Sequence, residues 1–420
     1  MPFPTKYHIV NKAAARTQAR QPAVPISYIK FKKGIKKQTM KSRICSFIKQ
    51  ETILVVSFVL ALISCFFVRP DRGYLGYLSS NIGTIILLFC LMAVVAGLSS
   101  LGVFRYVGEK LLERVSSQRG IAWMLIFLCF FASMFITNDV ALITFVPFAI
   151  MILEIADMQN RIVYTVTLMT IGANLGSMLT PMGNPQNLYL YSLSSMELSD
   201  FLKLMLPYTT VSAAGLWLCS IIGFPRGRAN VSITKKTASP NIRGTAYYLF
   251  LFLICMLTVS GLLPAPVLLL IITAGVAIKD RRLFQSVDYS LLATFLFFFI
   301  FIGNMNRFPP FRDLAVTMIT GHEKAAAIAM SQVISNVPAA LLLSSFTEKW
   351  ELLIIGTNLG GLGTLIASMA SLISYKQVAL RYPKEKGRYL GVFTLWNVIF
   401  LLALTAVSAL LTEIPILAIQ

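Results

Sequence analysis

Two polar phrases, Thr137-Asn138-Asp139-Val140-Ala141 and Ser335-Asn336-Val337-Pro338-Ala339, align position for position in the two halves of this chain. Each lies inside an apolar stretch and is followed by a glycine-rich segment, Gly172-Ala173-Asn174-Leu175-Gly176 in the first half and Gly356-Thr357-Asn358-Leu359-Gly360 in the second. In hydrocarbon, backbone N–H and C=O groups must find partners within the protein. A helix-breaking polar phrase at that depth is therefore costly unless it lines a cavity or is buried in protein. Two such phrases at corresponding places leave few folds open: the sequence is duplicated, and each copy carries broken helices.

The membrane setting follows from composition. Hydrophobic residues make up 56% of the 420 and charged residues 13%, against roughly a quarter charged in a soluble domain. The class expected is an all-α polytopic membrane protein. Apolar runs place segments at 52–68, 81–104, 120–155 (a hairpin), 162–190, 203–224, 244–262, 264–279, 288–304, 323–347 (a hairpin), 352–374 and 390–411. The first run follows a long basic tail and has no small-residue cleavage site, so it reads as an anchor and not a removable signal. With that tail in the cytoplasm and both hairpins turning back without crossing, only Arg69, Arg72, Lys203, Arg307, Arg312, Lys324 and Lys349 of the 37 Lys and Arg lie outside. This is the asymmetry of the positive-inside rule, and counting either hairpin as a full crossing would reverse every later loop. The net charge of +20 is thus an orientation signal and not a nucleic-acid footprint. The expected organisation is a disordered basic cytoplasmic tail at 1–51, a first repeat at 52–224, a basic cytoplasmic linker at 225–243, a second repeat at 244–411 and a short tail at 412–420. The N-terminus lies inside and the C-terminus outside.

In that topology the hairpins open from opposite sides, so the repeat is inverted. The segments after the tips, 174–191 and 358–375, align without gaps: Asn174 with Asn358, Thr180 with Thr364, Asn187 with Ser371, Tyr191 with Tyr375. A tip at mid-membrane leaves backbone groups without helical partners. Asn, Ser and Thr side chains can cap these groups and also hold a cation or a substrate oxygen. Each helix that starts after a tip points its positive dipole end at the site, which favours an anion, while unwound carbonyls favour Na⁺. Beside the first tip, Pro181-Met182-Gly183-Asn184-Pro185-Gln186-Asn187 breaks a second helix, Pro185 by removing a donor and Gly183 by permitting a tight turn. The second copy breaks with Gly360, Gly361 and Gly363 and has no proline, so the two copies are not equal.

Candidate substrate or ion ligands are therefore Thr137, Asn138, Asp139, Asn174, Thr180, Gly183, Asn184, Pro185 and Asn187 in the first repeat. In the second they are Ser335, Asn336, Pro338, Thr357, Asn358, Thr364 and Ser371. Na⁺ is expected near Asn138, Asp139 and Asn336. Asp139 is the one ionisable residue deep in an apolar run, and its counterpart is Val337. An isolated carboxylate at that depth suits coupling to Na⁺ or H⁺, although an aspartate there is also a good N-cap for the returning helix. No P-loop, GxSxG or metal-ligand cluster stands in the sequence, so no ATP-driven step, catalysis or cofactor is expected beyond the coupling ion. Six scattered cysteines, with no CxxC pair, read as small hydrophobes.

The two tips, the Thr180-Pro181-Met182-Gly183-Asn184-Pro185-Gln186-Asn187 segment and the helix start Asp288-Tyr289-Ser290-Leu291-Leu292 resemble the ion transporter superfamily. Within it the chain is similar to the citrate-transporter-like and arsenite-permease-like branch, nearest to a bacterial inner-membrane anion-transporter group. The resemblance spans about residues 52–411. It implies a scaffold plus a mobile part bearing both hairpins, an elevator motion, a homodimer and a cytoplasmic-membrane location. It also implies a small-anion cargo coupled to Na⁺ or H⁺. The family's dicarboxylate carriers have Ser-Asn-Thr at both tips; here Asp139 and Val337 replace the threonines, and an Asn-Asp first tip resembles the arsenite-permease branch. Other relatives exchange Na⁺ for H⁺, so a Na⁺/H⁺ antiporter using Asp139 without anion cargo is the alternative expectation.

Overall fold

The structure, a computed structural model, describes residues 51–68, 72–228 and 239–413. The expectations for the basic tail, for most of the linker and for the C-terminal tail fall outside these residues. Within them the chain is helical, with one isolated bridge between Ser117 and Arg228 as the nearest approach to a strand. The first half consists of α1 (Thr52–Phe67), α2 (Arg72–Ser100), α3 (Val103–Leu112), α4 (Gln118–Ile136), α5 (Asn138–Ile155), α6 (Ile162–Gly176), α7 (Pro185–Ser194) and α8 (Leu198–Gly223). The second consists of α9 (Ile242–Val259), α10 (Ala265–Asp280), α11 (Tyr289–Met305), α12 (Pro309–Ile319), α13 (Glu323–Ile334), α14 (Asn336–Leu343), α15 (Trp350–Gly360), α16 (Met369–Arg381) and α17 (Lys386–Glu413).

Local chemistry sets several of the ends. Ser117 accepts from the Gly120 N–H to start α4, and Asn241 accepts from the Arg243 and Gly244 N–H groups to start α9. Asp288 accepts from the Leu291 N–H at 3.0 Å to start α11, as an N-cap carboxylate should. Prolines stand in the first turn of α7, α10 and α12, where a missing N–H costs nothing.

Helix packing runs crosswise between the halves. α1 lies along α11 while α2 lies along α10, and α2 also meets α11. Likewise α16 packs on α5 and α6 of the first half, while α7 packs on α14 and α15 of the second. Equivalent elements thus exchange equivalent partners, the pattern an internal two-fold produces. Two packing groups result: α1, α2, α9, α10 and α11 form a frame, and the paired helices α4/α5 and α13/α14 with α6, α7, α8, α15, α16 and α17 form a second body. They meet where α11 touches α14 and α2 touches α7. At this seam Tyr189 packs on Phe295 and Phe299, and Thr84 Oγ1 lies 3.0 Å from Ser192 Oγ. The Phe-rich run of α11 is therefore packing surface: Phe295, Phe298 and Phe299 are buried.

Each hairpin is clamped to the next helix by a pair of glycines four residues apart. An added Cβ on Gly172 would sit 3.3 Å from the Ile126 carbonyl oxygen, and one on Gly176 would sit 2.0 Å from that of Phe130. In the second half, a Cβ on Gly356 would stand 2.8 Å from the Lys324 carbonyl oxygen, and one on Gly360 would stand 2.6 Å from Ser331 Oγ. Small residues at this spacing let helix backbones approach closely where no hydrophobic driving force exists.

Seven described helices are long and apolar enough to cross a membrane, or eight when the pair 265–286 and 289–305, bent by 77°, counts as one span. The two apolar runs expected at 264–279 and 288–304 are separate helices, α10 and α11, linked by a 3₁₀ stretch, Arg281–Ser286. The hairpins differ in size. The second has arms of 12 and 8 residues, or about 18 and 12 Å, well short of the ~30 Å hydrocarbon core. The first has arms of 19 and 18 residues, each long enough to cross, which turn back on one another at a single residue, Thr137.

Candidate functional site

Both hairpins turn at a residue forced into a backbone region that L side chains avoid. Thr137 has φ 57° and ψ 148°, and Ser335 has φ 75° and ψ 154°. Such conformations cost about 1–3 kcal/mol each and persist only where the surroundings impose them. Here the same strain occurs at the same position of each repeat, one residue before a buried asparagine.

Those asparagines fasten the tips to the broken helices. Asn138 Nδ2 donates to Asn174 Oδ1 at 2.9 Å, and Asn138 Oδ1 accepts from the Asp139 N–H at 2.9 Å. Ser368, at the break of the other repeat, donates to the same Asn174 Oδ1 at 3.0 Å. On the second side the Asn336 N–H donates to the Ala367 carbonyl at 3.0 Å, and Ser335 Oγ reaches that carbonyl at 3.3 Å. A second link crosses the repeats, Asn358 Nδ2 to Asn187 Oδ1 at 2.6 Å. Asn187 Nδ2 in turn points at the Ser177, Met178 and Thr180 carbonyls from 3.4 to 3.5 Å. Thr180 Oγ1 donates to the Met134 carbonyl and Thr364 Oγ1 to the Gln332 carbonyl, matching bonds at matching positions. A Cβ on Gly183 would lie 2.1 Å from the Ser177 carbonyl oxygen, so this turn admits only glycine.

The network is incomplete. Asn184 donates to Ser177 Oγ at 2.6 Å, but its Oδ1 has no partner; Asn358 Oδ1 and Ser371 Oγ are buried and equally unpartnered. Each orphaned buried group costs about 1–3 kcal/mol, which a bound ion or substrate would offset. Of the expected ligands, Asn138, Asn174, Asn187 and Asn358 enter these cross-repeat or tip links, with Ser335 and Asn336 joined to them through the break at Ala367–Ser368. Thr357 turns its hydroxyl to Leu353 within its own helix, Thr364 is exposed, and Pro338 is buried within α14.

Asp139 goes elsewhere. Its side chain caps no helix end: Asn138 accepts from the Asp139 N–H, and Asp139 Oδ1 is buried without a hydrogen-bond partner. It lines a cleft of about 120 Å³ walled by α2, by Met182 and Pro185 of the broken helix and by the start of α11, where Asp288 is the second acidic residue. The structure thus separates two faces of the first tip, with Asn138 toward Asn174 and Asp139 toward the cleft at the frame. Ser368, Ser177 and Asp288 are absent from the sequence-derived set. Ser368 had a signal, since it aligns with Asn184; Asp288 had one in the Asp-Tyr-Ser-Leu-Leu helix start.

At the ends of the hairpins sit ion pairs. Glu154 at the end of α5 accepts a two-pronged contact from Arg381, at 3.0 Å to each oxygen, and 2.6 Å from the Tyr382 hydroxyl. Burial and this carboxylate push the Tyr382 hydroxyl up to about 12, so it stays protonated as donor. Glu323 pairs with Lys349 at 3.4 Å at the start of α13, and Lys324 donates to Ser408 of α17 at 2.8 Å.

An all-helical membrane chain with paired broken helices defines a transport protein. The chain matches the citrate transporter family model over residues 45–348 and belongs to that family. It is 31% identical to an inner membrane protein of Escherichia coli, YbiR, over 70% of this chain and 79% of the relative. It is 32% identical to a Methanocaldococcus jannaschii transporter, MJ0456, over 70% of this chain and 80% of the relative. A shorter stretch, 31% of this chain and 27% of the relative, is 33% identical to the rice silicon efflux transporter LSI3.

Proposed function

We propose that this membrane transporter carries a small anion or oxyacid across the cytoplasmic membrane by secondary active transport, coupled to Na⁺ or H⁺. The observation that carries the reading is the pair of strained tips meeting the broken helices of both repeats, with Asn184 Oδ1, Asn358 Oδ1 and Ser371 Oγ left unpartnered beside them. In this reading the cargo sits between Asn138, Asn174 and Ser368 on one side and Asn187, Asn336 and Asn358 on the other. The N-terminal ends of α5, α7, α14 and α16 supply positive dipole ends. The body bearing both hairpins slides along the frame at the seam where Tyr189 meets Phe295 and Phe299, an elevator-type alternating access. The frame holds a homodimer, the N-terminus lies in the cytoplasm and the C-terminus outside. The silicon named for the rice relative supports weak oxyacids among the cargo classes, and the negative charge of Asp139 beside the tip disfavours multiply charged anions.

The test is accumulation in proteoliposomes, under an imposed Na⁺ or pH gradient, from a panel of citrate, succinate, silicic acid and arsenite. Uptake of one member, lost in both Asn138→Ala and Asn336→Ala at equal incorporation, supports the site; unchanged uptake in both variants removes it. The placement of Asp139 apart from the asparagine network favours a second reading, Na⁺/H⁺ exchange without anion cargo. A Na⁺ pulse to vesicles holding a pH-sensitive dye, with no anion present, then alkalinises the lumen in wild type and not in Asp139→Asn.

A further inference from the structure

Away from the hairpin tips, a basic cleft opens where α4 begins and α8 ends. Its volume is about 510 Å³, and Ser117, Arg119, Trp123, Trp217, Ser220 and Arg226 are among the residues that line it. That volume lies within the ~300–1,000 Å³ range of small-ligand sites. The lining holds two arginines and neither aspartate nor glutamate. Arg119 donates from Nε to the Phe224 carbonyl and from Nη2 to the Ile221 carbonyl, each at 2.9 Å. Carbonyls at a helix end need such partners, so the clamp fixes the guanidinium in place while its remaining N–H groups stay available to a ligand. Arg226 is exposed just beyond the end of α8. Two positive charges thus border one cavity, an apposition that an anion between them relieves.

The two tryptophans narrow the kind of anion. Trp123 is 45% and Trp217 52% exposed, each on a helix long and apolar enough to cross a membrane. Trp123 stands ~8 Å along α4 from its start at Gln118, and Trp217 ~9 Å back along α8 from its end at Gly223. Both indoles therefore lie at one level, a step further into the membrane than the arginines, as belt tryptophans do at an interface. A soluble anion would meet the arginines and leave the indoles uncovered, whereas a phospholipid engages both. The other end of α8 supplies the contrast: the cleft there, lined by residues of 195–199 and 258–261, holds Glu197 and neither lysine nor arginine. We propose that an anionic phospholipid binds at the junction of α4 and α8, its phosphodiester between Arg119 and Arg226 and its glycerol and upper acyl chains against Trp123 and Trp217. The lipid then bridges α8 and the first arm of the first hairpin. Its binding does not rest on the transport reading; only the assignment of the leaflet, the cytoplasmic one, rests on the charge asymmetry of the loops.

The experiment titrates the purified, delipidated full chain in non-ionic detergent with phosphatidylglycerol, phosphatidylcholine or inorganic phosphate, and counts bound lipid by native mass spectrometry. Wild type takes up one phosphatidylglycerol per chain ahead of any others, and neither phosphatidylcholine nor phosphate competes for that place. Arg226→Gln, an exposed change that leaves the Arg119 clamp intact, weakens this first binding about fivefold, the weight of one basic residue at an anionic headgroup. Trp217→Ala, also at an exposed position, weakens it as well. Arg228→Gln removes the same charge two residues away, outside the lining, and binds as wild type does. The proposal is overturned if Arg226→Gln binds as tightly as wild type, or if Arg228→Gln loses as much as Arg226→Gln. It is equally overturned if phosphatidylcholine binds as well, or if phosphate displaces the lipid, which would make the cleft a site for soluble anions. A panel of anions that fails to accumulate would sink the transport reading and leave these binding results standing.

Discussion

Replacing Gly176 with alanine places a Cβ 2.0 Å from the carbonyl oxygen of Phe130 and 2.7 Å from its carbon. That is about 1.5 Å inside a comfortable contact of ~3.5 Å. The obstacle is helical backbone, which has no rotamer to escape into, so α4 must back away from α6 by more than about 1 Å. Overpacking of this kind costs about 1–3 kcal/mol, occasionally more, and a rigid obstacle puts this variant at the upper end. The matched change Gly360→Ala meets Ser331, whose Oγ at 2.6 Å can turn away but whose Cβ at 2.7 Å cannot, with Ala327 O next at 3.2 Å; its overlap is shallower than that of Gly176→Ala, so it costs less. Fluorescence-detected size-exclusion after heating ranks the two against wild type, with Gly176→Ala losing at least about 5 °C of midpoint. Because Met134 and Thr180 ride on the displaced contact, that variant also loses transport. A Gly176→Ala protein as stable as wild type, or one more stable than Gly360→Ala, would refute the close-packing argument.

The other predictions concern the tips and the seam. Thr137→Gly and Ser335→Gly relieve backbone strain of about 1–3 kcal/mol each against the roughly 0.5–1 kcal/mol that glycine loses through the unfolded chain. Each therefore leaves the thermal midpoint equal or higher while impairing uptake. Asn358→Ala removes the 2.6 Å link to Asn187 and strands a buried acceptor, a loss of about 1–3 kcal/mol visible in the same unfolding assay; Asn358→Asp fares no better, since two oxygens would then face each other. Arg381→Gln, at an exposed ion pair, leaves the midpoint in high salt unchanged, because surface pairs are weak and screened.

Much of the site could be read before any coordinates. Asn138, Asn336, Asn174 and Asn358 announce themselves because polar side chains inside hydrocarbon need a reason, and their repetition in register supplies one. The glycines at 172, 176, 356 and 360 were visible as a pattern, yet their task, opposing the carbonyls of Ile126, Phe130 and Lys324 and the Ser331 side chain, depends on which helix lies against them. The crosswise bonds were not legible. Alignment pairs Asn174 with Asn358, whereas the structure joins Asn174 to Ser368 and Asn187 to Asn358, since an internal two-fold brings each break to the partner repeat. That Asp139 and Asp288 line one cleft was hidden too, since it depends on where the first hairpin stands relative to the start of α11.

The central claim is that a body carrying the tips moves against the frame, and its seam offers a direct test. Thr84 Oγ1 and Ser192 Oγ stand 3.0 Å apart across that seam, so Thr84→Cys with Ser192→Cys, in a background lacking the native cysteines, is placed to form a disulfide under mild oxidation. The account predicts that the oxidised double variant loses uptake of the anion identified by the panel and that reductant restores it, while each single variant transports throughout. Full uptake by the cross-linked protein would contradict it.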